Sequence, residues 1–223
     1  MQSSSQPCAG VIFDFEGTLV DFQWRLAPAE AELRRAFGQL GFCGPEFSHG
    51  NYATLWNAAV ALWAPQGRLD DLRRALGPIY DRWDADALTR WTLRPGAVAL
   101  LERLAARGLR VGLVSNIGRR ALGAALQRFG CAPLLSPIVS RDDVSCMKPR
   151  AEGILRVASE WRQTPGTLLF VGDSRADVFA ARAAGLPVAI IRGGECAEAD
   201  FADALPDHFI SGLDEIAALA AGR

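Results

Sequence analysis

The sequence predicts an α/β fold, a doubly wound and mostly parallel sheet with an inserted α-helical domain. After residue 94, short apolar runs alternate with helical patterns, which is typical of parallel sheets covered by helices on both faces. Between residues 22 and 93 no parallel-strand run occurs, and Ala, Leu, Glu and Arg recur at helical spacing instead. We therefore predict two domains, an α/β core of residues 1–21 and 94–223 and a helical domain of residues 22–93.

The helical domain is predicted from three segments. Residues 29–40 have apolar and charged residues at helical spacing, and Gly41 follows as a stop signal. Residues 52–63 and 69–91 continue the same pattern, with the turn signal Pro65-Gln66-Gly67 between them.

In the core, the predicted strands are short apolar runs and several predicted helices are followed by glycine, which favours a helix end. The first strand, Val11-Ile12-Phe13, ends at the turn-compatible Gly17 and Thr18. The predicted strands are 11–13, 111–114, 137–140, 168–171, 188–191 and 207–210. The predicted helices are 97–107, 117–129, 151–161, 175–184 and 214–221.

Composition limits the function classes. The formal net charge of −1 gives no electrostatic reason for binding nucleic acid or an anionic membrane, so we predict neither partner. The five scattered cysteines favour reduced thiols and hence a cytoplasmic location. Residues 1–6 lack the apolar stretch of a secretory signal, and residues 1–7 are predicted to be a frayed tail. No apolar run in the sequence is long enough for a transmembrane helix.

Polar residues follow the predicted strands. Asp14 and Glu16 come where the first buried strand opens into a loop, at the sheet edge where ligands bind in open α/β sheets. Burying two unpaired carboxylates is costly, and a divalent cation would make the pair tolerable. The ends of the later strands and the loops beyond them add Ser115, Asn116, Lys148, Asp173 and Asp177.

This set of side chains suits phosphoryl transfer. Asp14 can act as a nucleophile that forms an aspartyl-phosphate, and Asp14 and Asp173 can hold Mg²⁺. Ser115 and nearby backbone N–H groups can bind phosphoryl oxygens, while Lys148 can neutralise charge on the nucleophile and the phosphoryl group.

Because of these residues and their order along the sequence, the chain resembles the haloacid dehalogenase-like hydrolase superfamily. Residues 14–18 match its D-x-D-G-T motif with Glu16 in the second acidic place, and residues 112–116 match the strand that ends in Ser or Thr. Lys148-Pro149 matches the third motif, and residues 172–177 match the fourth, of the G-D-x-x-x-D type. The helical domain falls where subfamily I members have a helical cap.

The resemblance implies roles for these residues and Mg²⁺ as the cofactor. Asp14 resembles the nucleophile, and Glu16 resembles the general acid/base whose backbone carbonyl also binds the metal. Ser115 and Lys148 resemble the phosphoryl-binding residues, with Asn116 beside them. Asp173 resembles the second metal ligand. Asp177 resembles the outer acid that reaches the metal through water or orients Lys148.

Glu16 is the departure from the family pattern, since most of the family's phosphatases have Asp there. Enolase-phosphatases share the D-x-E-G-T form, so Glu16 is compatible with phosphatase chemistry and argues against dehalogenase and phosphonatase activities.

We therefore expect a Mg²⁺-dependent phosphatase, monomeric or homodimeric, that acts on a small phosphorylated metabolite, with phosphoglycolate phosphatases as the plainest analogy. A phosphomutase with the same residues and a non-catalytic binding protein are the alternatives. Simpler structural roles are also open: Ser115-Asn116 could N-cap the next helix, and Asp177 could be an ordinary acid in the first turn of a helix. Within the cap, Arg25 is the first candidate for a substrate contact.

Overall fold

The computed structural model describes residues 8–222, so the prediction for residues 1–7 lies outside the described part of the chain. Six strands form one sheet in the order β3-β2-β1-β4-β5-β6, and every neighbouring pair is parallel. The predicted fold class is therefore confirmed. The strands are β1 Gly10–Phe13, β2 Arg110–Val114, β3 Ile138–Val139, β4 Leu168–Gly172, β5 Val188–Ile191 and β6 His208–Ile210.

Strand β1 lies at the centre of the sheet, between β2 and β4. Successive side chains of a strand point to opposite faces, so Val11 and Phe13 pack into one apolar cluster while Ile12 packs into another. All three side chains are fully buried, which explains why this strand is a continuous apolar run. Both faces of the sheet are covered, as the doubly wound prediction requires.

Nine α-helices occur in the described chain. They are α1 Leu26–Gln39, α2 Pro45–His49, α3 Tyr52–Trp63, α4 Leu69–Leu88, α5 Ala97–Ala106, α6 Arg119–Arg128, α7 Glu152–Trp161, α8 Arg175–Ala184 and α9 Ile216–Ala221. The predicted bounds of α3 and α8 are confirmed.

The other predicted helix bounds differ from the observed ones by one to three residues, and one helix was missed. Three of these differences have a local cause. The five-residue helix α2 was missed because it is shorter than a periodic pattern can show. Helix α4 ends at Leu88 rather than residue 91, because the chain turns back to the core, where Val20 and Leu93 form an antiparallel bridge. Helix α6 begins at Arg119, with Gly118 as its N-cap, so the prediction that Ser115-Asn116 caps this helix was wrong.

Helices α1–α4 form a helical segment, residues 26–88, that contacts the core through buried polar groups. Asp84 on α4 is 1% exposed and accepts hydrogen bonds from the Gly118 N–H at 2.9 Å and Arg141 Nη1 at 2.7 Å. Its other oxygen accepts from Trp24 Nε1 at 3.1 Å. Asp84 therefore joins the helical segment to two loops of the core.

We expect Asp84→Ala to lower the free energy of unfolding by about 3 kcal/mol, because the buried Arg141 guanidinium loses its buried partner. Urea denaturation measures this change. Asp70→Ala on the same helix is the control: Asp70 is 84% exposed and paired with Arg73, so its loss should cost less than about 1 kcal/mol. Equal losses in the two variants would contradict the interpretation of Asp84.

Among residues 8–222, no helix has both the length and the hydrophobicity that a membrane span requires.

Candidate active site

The predicted polar residues lie together at the carboxyl edge of the sheet. Asp14 continues β1, and its N–H donates to the Val171 carbonyl of β4 at 2.8 Å. Ser115 follows β2 directly, and Asp173 follows β4. Because the three strands are parallel neighbours, their ends bring these side chains to one place. The residues gathered there and buried are Asp14, Ser115, Lys148, Asp173, Ser174 and Asp177.

Lys148 lies between two carboxylates. Its Nζ donates to Asp14 Oδ1 at 2.5 Å and to Asp177 Oδ1 at 2.7 Å. Burial alone lowers the pKa of Lys148, but the two carboxylates outweigh burial and raise the pKa above its usual value. The lysine is therefore a fixed positive charge beside the Asp14 carboxylate.

Two asparagines hold the loop that bears Lys148. The Asn116 side chain accepts from the Lys148 N–H at 2.9 Å and donates to the Lys148 carbonyl at 3.1 Å. In the same way, Asn57 of α3 binds the Met147 N–H at 2.8 Å and the Met147 carbonyl at 2.9 Å. The amide of Asn116 is thus engaged with the Lys148 backbone, although Asn116 also lines the site cavity.

Three carboxyl groups converge where the sequence predicts a metal. One oxygen each of Asp14, Asp173 and Asp177 lies within 4.8 Å of the other two. Burial raises the pKa of Asp14 to about 6 against the opposing effect of Lys148. Burial, followed by the charges of Asp177 and Asp14, raises the pKa of Asp173 well above its usual value.

Burial is the main cause of both raised pKa values, and repulsion between the neighbouring carboxylates adds to it. A cation bound between the carboxylates would offset both effects. Asp177 Oδ1 is bound to Lys148, and its Oδ2 accepts from the Asp173 and Ser174 N–H groups and from Ser174 Oγ. Asp14 and Asp173 are therefore the better placed ligands. Their hard oxygen atoms fit Mg²⁺.

Gly17 is required by the close approach of two strand ends. Its φ of +78° lies in the left-handed region, and an added Cβ would lie 2.0 Å from Asp173 Oδ2. The neighbouring Thr18 Oγ1 donates to Asp173 Oδ1 at 3.3 Å. The glycine and threonine of the first motif therefore position the carboxylate of the fourth.

Glu16 points from the site towards the two chain segments that join the core to the helical segment. Its Oε1 accepts from the Gln23 N–H at 2.9 Å, the Trp24 N–H at 2.7 Å and Trp91 Nε1 at 2.8 Å. Burial raises the pKa of Glu16 to about 8, although these hydrogen bonds oppose the shift. Burial therefore favours the protonated form of this carboxyl, which can donate a proton.

The Glu16 side chain does not belong to the acidic cluster formed by the described residues. The predicted role of its backbone carbonyl as a metal ligand stays a prediction.

Arg25 is not brought to this site. Its guanidinium is 59% exposed and lies 3.6 Å from Asp86, and it does not line the site cavity. Ser115 does line the cavity, and its Oγ accepts from the Ile117 N–H at 3.2 Å within a turn. The substrate contact predicted for Arg25 therefore has no support from its position.

A small cavity of about 20 Å³ lies beside Asp14, Glu16 and Lys148. Five of its lining residues were missed from the sequence: Phe22, Tyr52, Ile117, Ser174 and Glu195. Glu195 lies in the segment after β5, so it could have been predicted in the same way as the other residues that follow strand ends. Phe22 and Tyr52 lie outside the core strands, and the sequence has no local signal for their position.

The chain is similar to known hydrolases. A family model described as haloacid dehalogenase-like hydrolase matches residues 8–185. The chain is 34% identical to a phosphoglycolate phosphatase of Salmonella paratyphi A (strain ATCC 9150 / SARB42), over 82% of this chain and 80% of that protein. It is 33% identical to a phosphoglycolate phosphatase of Escherichia coli O157:H7, over 83% of this chain and 81% of that protein.

A solved structure shares the fold. The crystal structure of a predicted phosphoglycolate phosphatase from Haemophilus somnus 129pt matches with a TM-score of 0.67 and 24% identity, over 95% of this chain and 97% of that one.

Proposed function

Because the chain belongs to the haloacid dehalogenase-like hydrolases and is a phosphatase, we propose that it hydrolyses a small phosphate monoester through an aspartyl-phosphate on Asp14, with Mg²⁺ as cofactor. The observation that best supports this proposal is the contact of 2.5 Å between Lys148 Nζ and Asp14 Oδ1. A fixed ammonium beside a buried carboxylate keeps that carboxylate ionised and offsets charge on an incoming phosphoryl group.

In the first step, an Asp14 carboxylate oxygen attacks phosphorus and the ester P–O bond breaks. The leaving alkoxide takes the proton of the Glu16 carboxyl, which is held at 2.7–2.9 Å by three N–H donors. Lys148, Ser115 and nearby backbone N–H groups bind the phosphoryl oxygens.

In the second step, a water molecule attacks the phosphorus of the aspartyl-phosphate. Glu16, now ionised, takes the proton of that water, and the bond between Asp14 and phosphorus breaks to release inorganic phosphate. Glu16 is thereby returned to its protonated form. Asp177 holds Lys148 in place through its Oδ1 at 2.7 Å.

Asp14 and Asp173 would hold Mg²⁺, with the Glu16 backbone carbonyl and Asp177 as the further candidates. When bound, the cation supplies positive charge that offsets the negative charge of the phosphoryl oxygens.

Residues 22–93 form the cap in this proposal, and closing it over the cavity would exclude bulk water. Because relatives are named phosphoglycolate phosphatases, phosphoglycolate belongs in the panel of esters to be tested. A cytoplasmic location agrees with the absence of a disulfide among the cysteines, all of which lie in the described chain. The chain would act as a monomer or homodimer on a small molecule.

The direct test is the release of inorganic phosphate from a panel of phosphorylated metabolites and p-nitrophenyl phosphate, with Mg²⁺ present. Wild-type protein should release phosphate and Asp14→Asn protein should not. If a wild-type preparation with the correct fold hydrolyses none of these esters, the proposal is wrong.

We expect hydrolysis to stop in chelator and to return when Mg²⁺ is added. Asp173→Ala should raise the Mg²⁺ concentration needed for half-maximal rate by about 10-fold or more, because Mg²⁺ sites have few protein ligands. Mg²⁺ titration of the rate measures this, and Asp203→Ala, at an exposed surface pair, should leave it unchanged. Turnover that persists in chelator would contradict the Mg²⁺ assignment.

A further inference from the structure

Glu195 is an acidic residue that lines the site cavity and has no role in the proposed phosphatase mechanism. It follows β5 and lines the same cavity as Asp14, Glu16 and Tyr52. Within residues 8–222, its carboxylate has no ion-pair partner. Glu195 therefore lies at the wall of the cavity that contains the nucleophile.

The loop that presents Glu195 is tightly fixed. Arg94 donates to the Arg192 carbonyl at 3.1 Å and to the Gly193 carbonyl at 2.8 Å. The Glu195 N–H donates to Asp173 Oδ2 at 2.5 Å. A Cβ on Gly194 would lie 2.2 Å from the same Asp173 oxygen, so only glycine allows this approach. The backbone of Glu195 is therefore held in place relative to the catalytic carboxylates.

The charge around this cavity disfavours a further anion. A second cavity, lined by Trp24 and Tyr80, adjoins the site cavity. Among the described residues that line the two cavities, the only cations are Lys148 and Arg141. Lys148 is already bound to Asp14 and Asp177, and Arg141 is bound to Asp84 and Asp81. Neither cation is available to bind a carboxylate on the leaving group.

From this arrangement we propose that Glu195 is a specificity-determining residue, which favours esters of hydroxyl- or amine-bearing alcohols over esters whose leaving group has a carboxylate. The cavity is small, about 20 Å³, so the far end of even a two-carbon leaving group lies near its walls. Like charges placed together across a binding contact weaken binding, and an ammonium or hydroxyl would instead pair with the carboxylate. This inference rests on the proposed phosphatase function and specifies its substrate class.

Three esters with two-carbon leaving groups test the inference: 2-aminoethyl phosphate, 2-hydroxyethyl phosphate and phosphoglycolate, which end in an ammonium, a hydroxyl and a carboxylate. Burial raises the pKa of Glu195 to about 7, so the assay is run above that pH. With saturating Mg²⁺, wild-type kcat/KM should be about tenfold higher for the first two esters than for phosphoglycolate. Glu195→Gln keeps the size of the side chain and removes its charge, so it should reduce that preference by about tenfold. Glu198→Gln is the matched control, because Glu198 lies on the same loop and pairs with Arg192 at the surface.

The outcomes separate the two proposals. If the wild type hydrolyses p-nitrophenyl phosphate but prefers phosphoglycolate, or if Glu195→Gln leaves the ratio unchanged, the specificity role is wrong and the phosphatase function stands. If Glu195→Gln slows all three esters equally and raises the Mg²⁺ requirement, Glu195 acts at the cation and the specificity role is likewise wrong. If no ester is hydrolysed, the proposed function fails and this inference fails with it.

Discussion

Asp14→Asn should lower the rate of phosphate release by about 10⁴-fold or more while the protein stays folded. The amide oxygen cannot form the phosphoenzyme, so the first step is lost rather than slowed. The fold should survive because Lys148 keeps its second partner, the Asp177 carboxylate at 2.7 Å, and is not left as an unpaired buried charge. Steady-state phosphate release at saturating Mg²⁺ measures the loss, and thermal unfolding checks the fold.

A second readout separates loss of the nucleophile from a general defect. Wild-type protein quenched in acid during turnover should show the added mass of one phosphoryl group, and Asp14→Asn protein should not. Asp203→Asn is the control, since Asp203 is 66% exposed and pairs with Arg175 away from the cavity. A phosphoenzyme in Asp14→Asn protein whose amide is verified by mass would exclude Asp14 as the nucleophile.

Glu16→Gln should lower hydrolysis of an alkyl phosphate by roughly 10² to 10⁴, the range expected for positioned proton transfer. Gln is the informative substitution because its amide oxygen can still accept from Gln23, Trp24 and Trp91, while its amide cannot transfer a proton. Glu16→Ala would remove that acceptor as well as the proton. It would leave three N–H donors unsatisfied, two of them buried, so it should also lower stability by about 1–3 kcal/mol.

On p-nitrophenyl phosphate the loss in the first step should be smaller, because nitrophenolate leaves without a proton. The second step still needs the base, so phosphoenzyme should accumulate in Glu16→Gln protein and a burst of nitrophenol should precede slow turnover. Stopped-flow absorbance measures the burst. Equal rates for the wild type and Glu16→Gln on an alkyl phosphate would show that another group transfers the proton.

Much of the site could be predicted from the sequence because its residues follow strand ends. Asp14 and Asp173 follow β1 and β4, which are neighbours, and the predicted parallel sheet already places their carboxylates together. Asp177 is fixed by local structure, since residues 174–177 form a capping box at the start of α8. The sequence motif identified Lys148, and the structure shows that the carboxylates of Asp14 and Asp177 hold its side chain in place.

Other features were decided only by tertiary structure. Asn57 binds the backbone of a residue 90 positions away, and Arg25 pairs with Asp86 rather than facing the cavity. The carboxyl of Glu16 is held by Trp91, which is 75 positions away and beyond the end of α4.

The physical reason for this division is the range of the interactions. Strand periodicity, turn glycines and helix caps act over a few residues, so the sequence alone determined the order of the core strands and helices and the acids at their ends. Which partner a side chain meets across the join between residues 26–88 and the core depends on how those two parts pack. That packing is set by many apolar contacts at once, and no local pattern encodes it.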